Sequence, residues 1–504
     1  MLLGANMSFK LPDSSRNWIS LIGAMIALIS FFMIVFLFFI TSILFQNATY
    51  IGLVIYILLP AVMITGLLLI PIGMLISRKR TVSKETPWPK IDLNDAKYRN
   101  AFIIFTVGTT IFLFASAIGS YQAFHFTESV EFCGKLCHNV MNPEYTAYQN
   151  SAHARVACVA CHVGEGANWY VRSKLSGLYQ VYAVLANVYP KPIPTPIHNL
   201  RPARETCERC HWPQKFYAQK MRQERHYLPD EGNTPWDINL IMKIGAEHSA
   251  LGLQEGIHWH INPDVKIEYI TNDEKMQDIP WVRMTRLSTG ETTLFQNEDE
   301  TLNEEQIKSA EIRTMDCMDC HNRPSHSYQP PAFFVNEALT AGVMPVELPE
   351  IKSVSMDICS KEFSTKDSAN AYIENSIKEY YESNYDDLVK EKPQLIEQAI
   401  TGLQKEYNQN IFPEMKVRWD AYPNNIGHLE FNGCFRCHDD LHVSDNGKTI
   451  PRDCNLCHTI VAQGPPSDKE ISDIGSALEF KHPEDIDGVW KEMLCTECHT
   501  GLNP

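Results

Sequence analysis

Three apolar stretches near the start of the chain and seven cysteine–histidine repeats behind them predict a membrane-anchored multihaem cytochrome c. The expected architecture is three transmembrane helices, then a mainly α and irregular periplasmic heptahaem region with a small β insert. The repeats are Cys133-GKL-Cys137-His138, Cys158-VA-Cys161-His162, Cys207-ER-Cys210-His211, Cys317-MD-Cys320-His321, Cys434-FR-Cys437-His438, Cys454-NL-Cys457-His458 and Cys495-TE-Cys498-His499. In a C-x-x-C-H stretch the two thiols form thioethers to haem vinyl groups, and the histidine offers its imidazole to iron. Six copies have two residues between the cysteines; the first has three. Cys434/Cys437 and Cys454/Cys457 are also spaced much like a zinc ribbon, but zinc does not require a histidine after every second cysteine. With 18 histidines in 504 residues, seven such placements arise by chance with a probability on the order of 10⁻¹⁰. The expectation is seven covalent haem c groups, with the seven motif histidines as proximal ligands.

The apolar stretches come next. No charged residue occurs from Asn17 to Ser77, and two runs, 18–45 and 50–77, each suffice to span a bilayer. A third runs over 101–124. The first is too long for a cleavable signal peptide and has no small-residue cleavage site after it. Arg78, Lys79, Arg80, Lys84, Lys90, Lys97 and Arg99 crowd the loop 78–100, while the loop QNATY between the first two spans has no charge. The positive-inside rule therefore puts residues 1–17 and the basic loop in the cytoplasm and sends the third helix outward. Haem c is attached outside the bacterial inner membrane, and no cysteine precedes Cys133. Both arguments predict a multi-pass inner-membrane protein with its haem region in the periplasm.

Charge divides along the same line. Residues 1–100 carry nine Lys/Arg and four Asp/Glu, which leaves 35 against 56 for the rest, a formal −21. Such a surface argues against nucleic acid and attracts basic partners, although a solvated acidic exterior that recognises nothing has the same composition. Fourteen of the 15 cysteines belong to the repeats; the remaining one, Cys359, reads as an inert buried thiol.

The haem region divides by motif spacing. Residues 125–226 and 313–330 hold four motifs, and 428–504 hold three. The insert 227–312 has strand-like runs at 265–271, 281–287 and 292–295, separated by the polar turns TNDEK and STGE, which suggests an antiparallel meander. Residues 331–427 have no motif and read as a mostly helical scaffold, densest in charged helix over 366–408.

A six-coordinate haem needs a second axial ligand, and 11 histidines lie outside the motifs. His153, His326, His428 and His442 sit within six residues of a motif, and His482 precedes Cys495 at longer range. These five are the expected distal ligands. His226, His258 and His260 are weaker candidates, and His125, His198 and His248 weaker still.

The run FCGKLCHNVMNPEYTAYQNSAHARVACVACH, with HNLRPARETCERCHWP and CMDCHNRPSH, resembles the NapC/NirT family of membrane-anchored cytochromes. The resemblance covers about 101–226 and 313–328. It implies a tetrahaem module that oxidises membrane quinol and passes electrons to outer redox partners. His153 and His326 match distal-ligand positions there. The layout of three spans and seven haems resembles the ImcH-type inner-membrane cytochromes of metal-reducing bacteria, which implies menaquinol as substrate and small basic periplasmic c-type cytochromes as partners. The family's first haem usually has C-x-x-C-H-x-M with methionine on the iron. Here one residue is added between the cysteines and Met141 lies one place later, so Met141, His138 and His125 all stay candidates.

Residues 168–183 read as an interfacial helix. Val171, Leu175, Leu178 and Tyr182 form one apolar face, flanked by Trp169, Tyr170 and Tyr179. The alternative reading of the pattern is an anchoring helix lying on the bilayer. The resemblance adds that Lys174, 12 residues after His162, matches a quinol-binding lysine. The family's acidic partner has no counterpart, because no Asp or Glu occurs between Glu165 and Glu205; Gln180 stands in that place. The function expected is quinol dehydrogenase. The alternatives are a dedicated donor subunit of one periplasmic reductase and a terminal multihaem reductase, the latter requiring an open iron position.

Overall fold

The computed structural model describes residues 15–44, 58–80, 93–96, 99–100 and scattered positions within 102–122. From 124 to 502 it describes all but 165, 196–201, 214–215 and 246–255. The chain separates into two compact units, residues 1–127 with 165–174, and residues 128–164 with 175–504.

In the first unit, helices α1 (Trp18–Leu44) and α2 (Leu59–Arg80) are each long and apolar enough to cross a membrane. Ser20, Gly23, Ala27 and Ser30 recur at i, i+3, i+7 and i+10 and are buried against α2, whereas Leu28, Phe32, Leu68 and Leu75 are exposed. Small residues are needed at that seam. A Cβ on Gly23 would lie 2.7 Å from the Gly66 carbonyl, and one on Gly66 would lie 2.7 Å from the Ala27 amide. Lipid-facing helices associate by such close backbone approach, since lipid offers no hydrophobic drive between them. Ser20 Oγ adds a bond to the Ile70 carbonyl at 2.9 Å. The third expected span, 101–124, lies largely outside the described residues; those described within it are helical. Two helices, not three, are therefore seen as candidate spans among the described residues.

The second unit is built on a helical scaffold and two antiparallel sheets. Helix α3 (His138–Gln149) follows the first motif; α4 (Ala167–Leu185), whose residues 167–174 belong to the first unit, follows the second. The scaffold comprises α5 (Pro331–Thr340), α6 (Ile351–Cys359), α7 (Lys366–Asn384), α8 (Asp386–Glu391) and α9 (Pro393–Asn410). Its core packs Ile351, Ile373, Ile377, Tyr381, Leu403 and Trp419, all essentially inaccessible. Cys359 lies in that core, where burial pushes its thiol up to about 12 and keeps it unreactive. The Trp419 indole donates to the Thr500 carbonyl at 3.1 Å, which pins the end of the last motif to the scaffold.

One sheet runs in the order β1 (Gln219–Tyr227), β2 (Pro235–Lys243), β8 (His458–Gly464), β9 (Glu470–Ile471). The other runs β6 (Arg313–Thr314), β3 (Val265–Ile270), β4 (Trp281–Arg286), β5 (Thr292–Asn297), β7 (His442–Ser444). Strands β3, β4 and β5 occupy the three strand-like runs of the insert. The hairpin β1–β2 straddles the boundary expected at 226/227. Both sheets pair strands of the insert with strands of the C-terminal region, β2 with β8 and β5 with β7. A tetrahaem module and a separate trihaem tail are thus legible only as spacing; the fold joins them in one body.

Buried Asp237 ties the first sheet together. It accepts from Arg225 at 2.7 and 2.9 Å and from Lys469 at 2.7 Å. The Arg225 guanidinium, with Lys469 beside it, holds this carboxyl down at about 2.

Candidate haem-binding site

Each regular motif folds as a single helical turn. The histidine amide closes on the first cysteine's carbonyl at 2.9 Å in the third motif, 2.8 Å in the fourth, 3.1 Å in the fifth and 2.8 Å in the seventh. Cysteines three apart then lie about one turn apart on one face, which is the presentation two thioethers require. The irregular first motif follows the same logic by a different helix. Phe132–Leu136 form a π-helical turn, the conformation that absorbs one extra residue, so Cys133 and Cys137 are again about one turn apart.

The histidines assemble in pairs. Ring centroids of His162 and His326 lie 6.1 Å apart, His153 and His211 6.0 Å, His258 and His321 6.2 Å. His260 and His438 lie 5.9 Å apart, His428 and His458 6.2 Å, His482 and His499 6.1 Å. Metal–imidazole bonds of about 2 Å on both sides of one ion put ring centroids at about this separation. Among the described residues, no three or more His, Cys, Asp or Glu side chains gather as a metal cage. The arrangement is one motif histidine facing one non-motif histidine, six times.

Hydrogen bonds fix which nitrogen is free. The Nδ1 of His153 faces the Pro324 carbonyl at 3.0 Å, that of His326 faces Glu144 at 3.0 Å, and that of His482 faces Glu484 at 2.9 Å. A carbonyl only accepts, so the Nδ1 of His153 and of His326 carries the proton and each Nε2 keeps a lone pair for a metal, whereas His482 Nδ1 also faces the Glu484 amide N–H at 3.2 Å, so these contacts do not fix its tautomer. Burial lowers the pKa of His162, His428 and His438 and brings His326 and His458 to about 4, favouring the neutral form that ligates. The residues therefore fit haem c.

Two departures from the sequence expectation stand out. His442 is not placed as a ligand. It is fully buried, with Nδ1 turned to the Asp439 carboxylate at 2.9 Å and Nε2 to the Ile279 carbonyl at 2.7 Å, and both nitrogens are engaged. His260 faces His438 instead. Second, sequence proximity does not give the partner. His153, just before the second motif, faces the third motif's histidine; His326, just after the fourth, faces the second's; His428, before the fifth, faces the sixth's. His258 and His260, left as weaker candidates, occupy two of the six pairs, and they lie tens of residues from any motif. His226 is half-buried, with Nδ1 3.4 Å from the Asn336 side-chain nitrogen, and among the described residues it makes no ring contact with a motif histidine.

For the first motif, Met141 lies three residues into α3, on the face shared with position 138. His125, in the other unit, makes an edge contact with Tyr121 at 4.4 Å.

Helix α4 carries the expected quinol residues. Val171, Leu175, Leu178, Tyr182 and Leu185 are exposed, so its apolar face is uncovered. The Lys174 ammonium lies 3.5 Å from Thr127 Oγ1 and 5.1 Å from the centre of the Tyr170 ring. Gln180 turns its amide to Ser176 Oγ at 3.5 Å, and at 100° per residue it falls on a different face of the helix from Lys174.

Residues 95–192 match the family model for the NapC/NirT cytochrome c family, N-terminal region. The chain is 44% identical over 487 residues, 96% of its length and 95% of the relative's, to the cytochrome c-type protein ImcH of Geobacter sulfurreducens. It is 26% identical over 124 residues, 24% of its length and 68% of the relative's, to the cytochrome c-type protein NrfH of Wolinella succinogenes. No solved structure matches it. With facing imidazole pairs, cysteine turns and two membrane-length helices already in place, these likenesses establish that the chain belongs to the ImcH-like cytochromes of the NapC/NirT family, membrane-anchored multihaem electron-transfer proteins.

Proposed function

We propose that this chain is an inner-membrane quinol dehydrogenase that oxidises menaquinol and delivers electrons through seven covalent haems to periplasmic cytochromes. The observation that carries this reading is the set of six imidazole pairs. In it, Cys133, Cys137, Cys158, Cys161, Cys207, Cys210, Cys317, Cys320, Cys434, Cys437, Cys454, Cys457, Cys495 and Cys498 carry the thioethers. His153 pairs with His211, His326 with His162, His428 with His458 and His482 with His499. Met141 serves the first haem. Bound haem supplies one-electron oxidation and reduction. Each of the six pairs would hold its haem between two imidazoles, which argues against a terminal reductase, whose chemistry needs an open position.

Lys174 is the group that binds quinol. Its ammonium donates to a quinol hydroxyl, with Tyr170 as an aromatic wall, while the exposed apolar face of α4 meets the lipid that delivers the substrate. Gln180, on another face, plays no part in that contact, and residues 166–204 contain no Asp or Glu that could serve as proton acceptor. Electrons leave near His482 and His499. Residues 468–497 carry nine Asp/Glu and three Lys, and each lysine is engaged in an ion pair, Lys469 with Asp237, Lys481 with Glu470 and Lys491 with Glu479. That surface suits a basic partner.

The test is anaerobic mixing of the purified protein in nanodiscs with a reduced menaquinol analogue, following the haem α-band. Wild type should reduce rapidly, and Lys174→Ala should slow at least roughly tenfold at unchanged haem content, as expected for one lost transition-state contact. An unchanged rate under quinol-limited conditions would leave α4 as an anchor only.

A further inference from the structure

His258 and His260 stand on one five-residue 3₁₀ turn, Ile257–Ile261. Such a turn has three residues per revolution, so side chains two apart project about 120° from each other. One short turn can therefore offer imidazoles to two different centres. The His258 ring lies 6.2 Å from His321 with planes 9° apart; the His260 ring lies 5.9 Å from His438 with planes 81° apart. His258 Nδ1 donates to the Ile244 carbonyl at 2.8 Å and His260 Nδ1 to the Ile257 carbonyl at 2.8 Å, which leaves both Nε2 lone pairs free.

We propose that His258 and His260 are the second axial ligands of the irons held by His321 and His438, making this turn the bridge between the fourth and fifth haem sites. The proposal rests on the reading of the motifs as haem sites.

The surroundings are built for that bridge. Trp259, between the two histidines, packs against the core of Val265, Ile267, Tyr269 and Val282. The turn is anchored by Gly256, whose amide donates to the Gly245 carbonyl at 2.8 Å, and a Cβ there would lie 2.1 Å from the Lys243 carbonyl oxygen. The fourth and fifth motifs also touch directly. Buried Arg436, inside CFRCH, donates to the Asp319 carbonyl inside CMDCH at 2.8 Å. His442, closest in sequence to the fifth motif, is excluded by the engagement of both its nitrogens.

The six pairs predict ligand-plane angles as well as identities. Perpendicular axial imidazoles give low-spin ferric signals with a large maximal g value, and near-parallel ones give ordinary rhombic signals. The experiment uses full-length protein in detergent, with haem content measured by pyridine haemochrome. His260→Ala should lose one large-g signal and His258→Ala one rhombic signal. Each should gain about one-seventh high-spin haem at wild-type haem content, reversed by added imidazole. His442→Ala should leave the spectrum unchanged. If either variant loads haem poorly, the corresponding methionine variant should show a new near-infrared methionine-to-iron band. In the wild type itself, near-infrared magnetic circular dichroism should count six bis-histidine haems. A count of four, unchanged low-spin signals in His258→Ala and His260→Ala, or high-spin haem arising in His442→Ala instead would overturn the proposal. A wild type without covalent haem would overturn the underlying reading rather than this one.

Discussion

Arg436→Met tests whether the fourth and fifth motifs are held together as the structure shows. The Arg436 side chain is buried and donates three bonds to carbonyls: Nε to Gly433 at 2.8 Å, Nη1 to Met276 at 2.6 Å and Nη2 to Asp319 at 2.8 Å. Methionine fills similar length but donates nothing. Three buried carbonyls then lose their donor, at about 1–3 kcal/mol each. Relief from burying the guanidinium returns part of that, so a net loss of about 3 kcal/mol is expected. At about 1.4 kcal/mol per tenfold, local opening of the joint becomes on the order of a hundredfold more frequent. Hydrogen–deuterium exchange of the full chain in detergent reads this directly, in peptides covering 316–321 and 433–438. Their protection should fall by about that factor, while Lys308→Met, on an exposed helix, should leave them unchanged. Protection within about threefold of wild type would refute the view that Arg436 clamps the two motifs.

Three further outcomes follow from particular contacts. Asp237→Asn should cost about 2 kcal/mol near neutral pH by leaving Arg225 and Lys469 without their buried partner. Because the folded carboxyl sits at about 2, below its usual 3.8, its contribution is complete above about pH 4 and lost as pH falls toward 2, and the variant's acid denaturation profile should lack that step. Gly256→Ala should displace the 257–261 turn, since the blocking atoms are backbone, and so perturb the two electron paramagnetic resonance signals assigned to His258 and His260 together; a change confined to one would contradict their shared anchor. Electron transfer to a lysine-rich multihaem cytochrome should slow steeply between low salt and about 0.15 M, where the Debye length is about 8 Å; a flat salt profile would move the exit away from residues 468–497.

Linear sequence determined what local chemistry alone can specify. Two cysteines and a histidine within five or six residues present thioethers and imidazole wherever the chain goes, so the repeats were readable without a fold. The charge-free runs at 18–45 and 50–77 were readable as membrane segments because helix length against bilayer thickness is a one-dimensional criterion. The strands at 265–270, 281–286 and 292–297 and the helices of 366–410 likewise show in local pattern. Pairing of histidines did not, because an axial ligand need only be close in space. Position near a motif pointed to His442, whose nitrogens the fold gives to Asp439 and Ile279, and ranked lower His258 and His260, which a five-residue turn carries to two motifs. The same holds for the modules. Motif spacing separated four sites from three, whereas β2–β8 and β5–β7 pairing and the Arg436 bonds unite them. Those contacts are non-local, and only the tertiary structure could decide them.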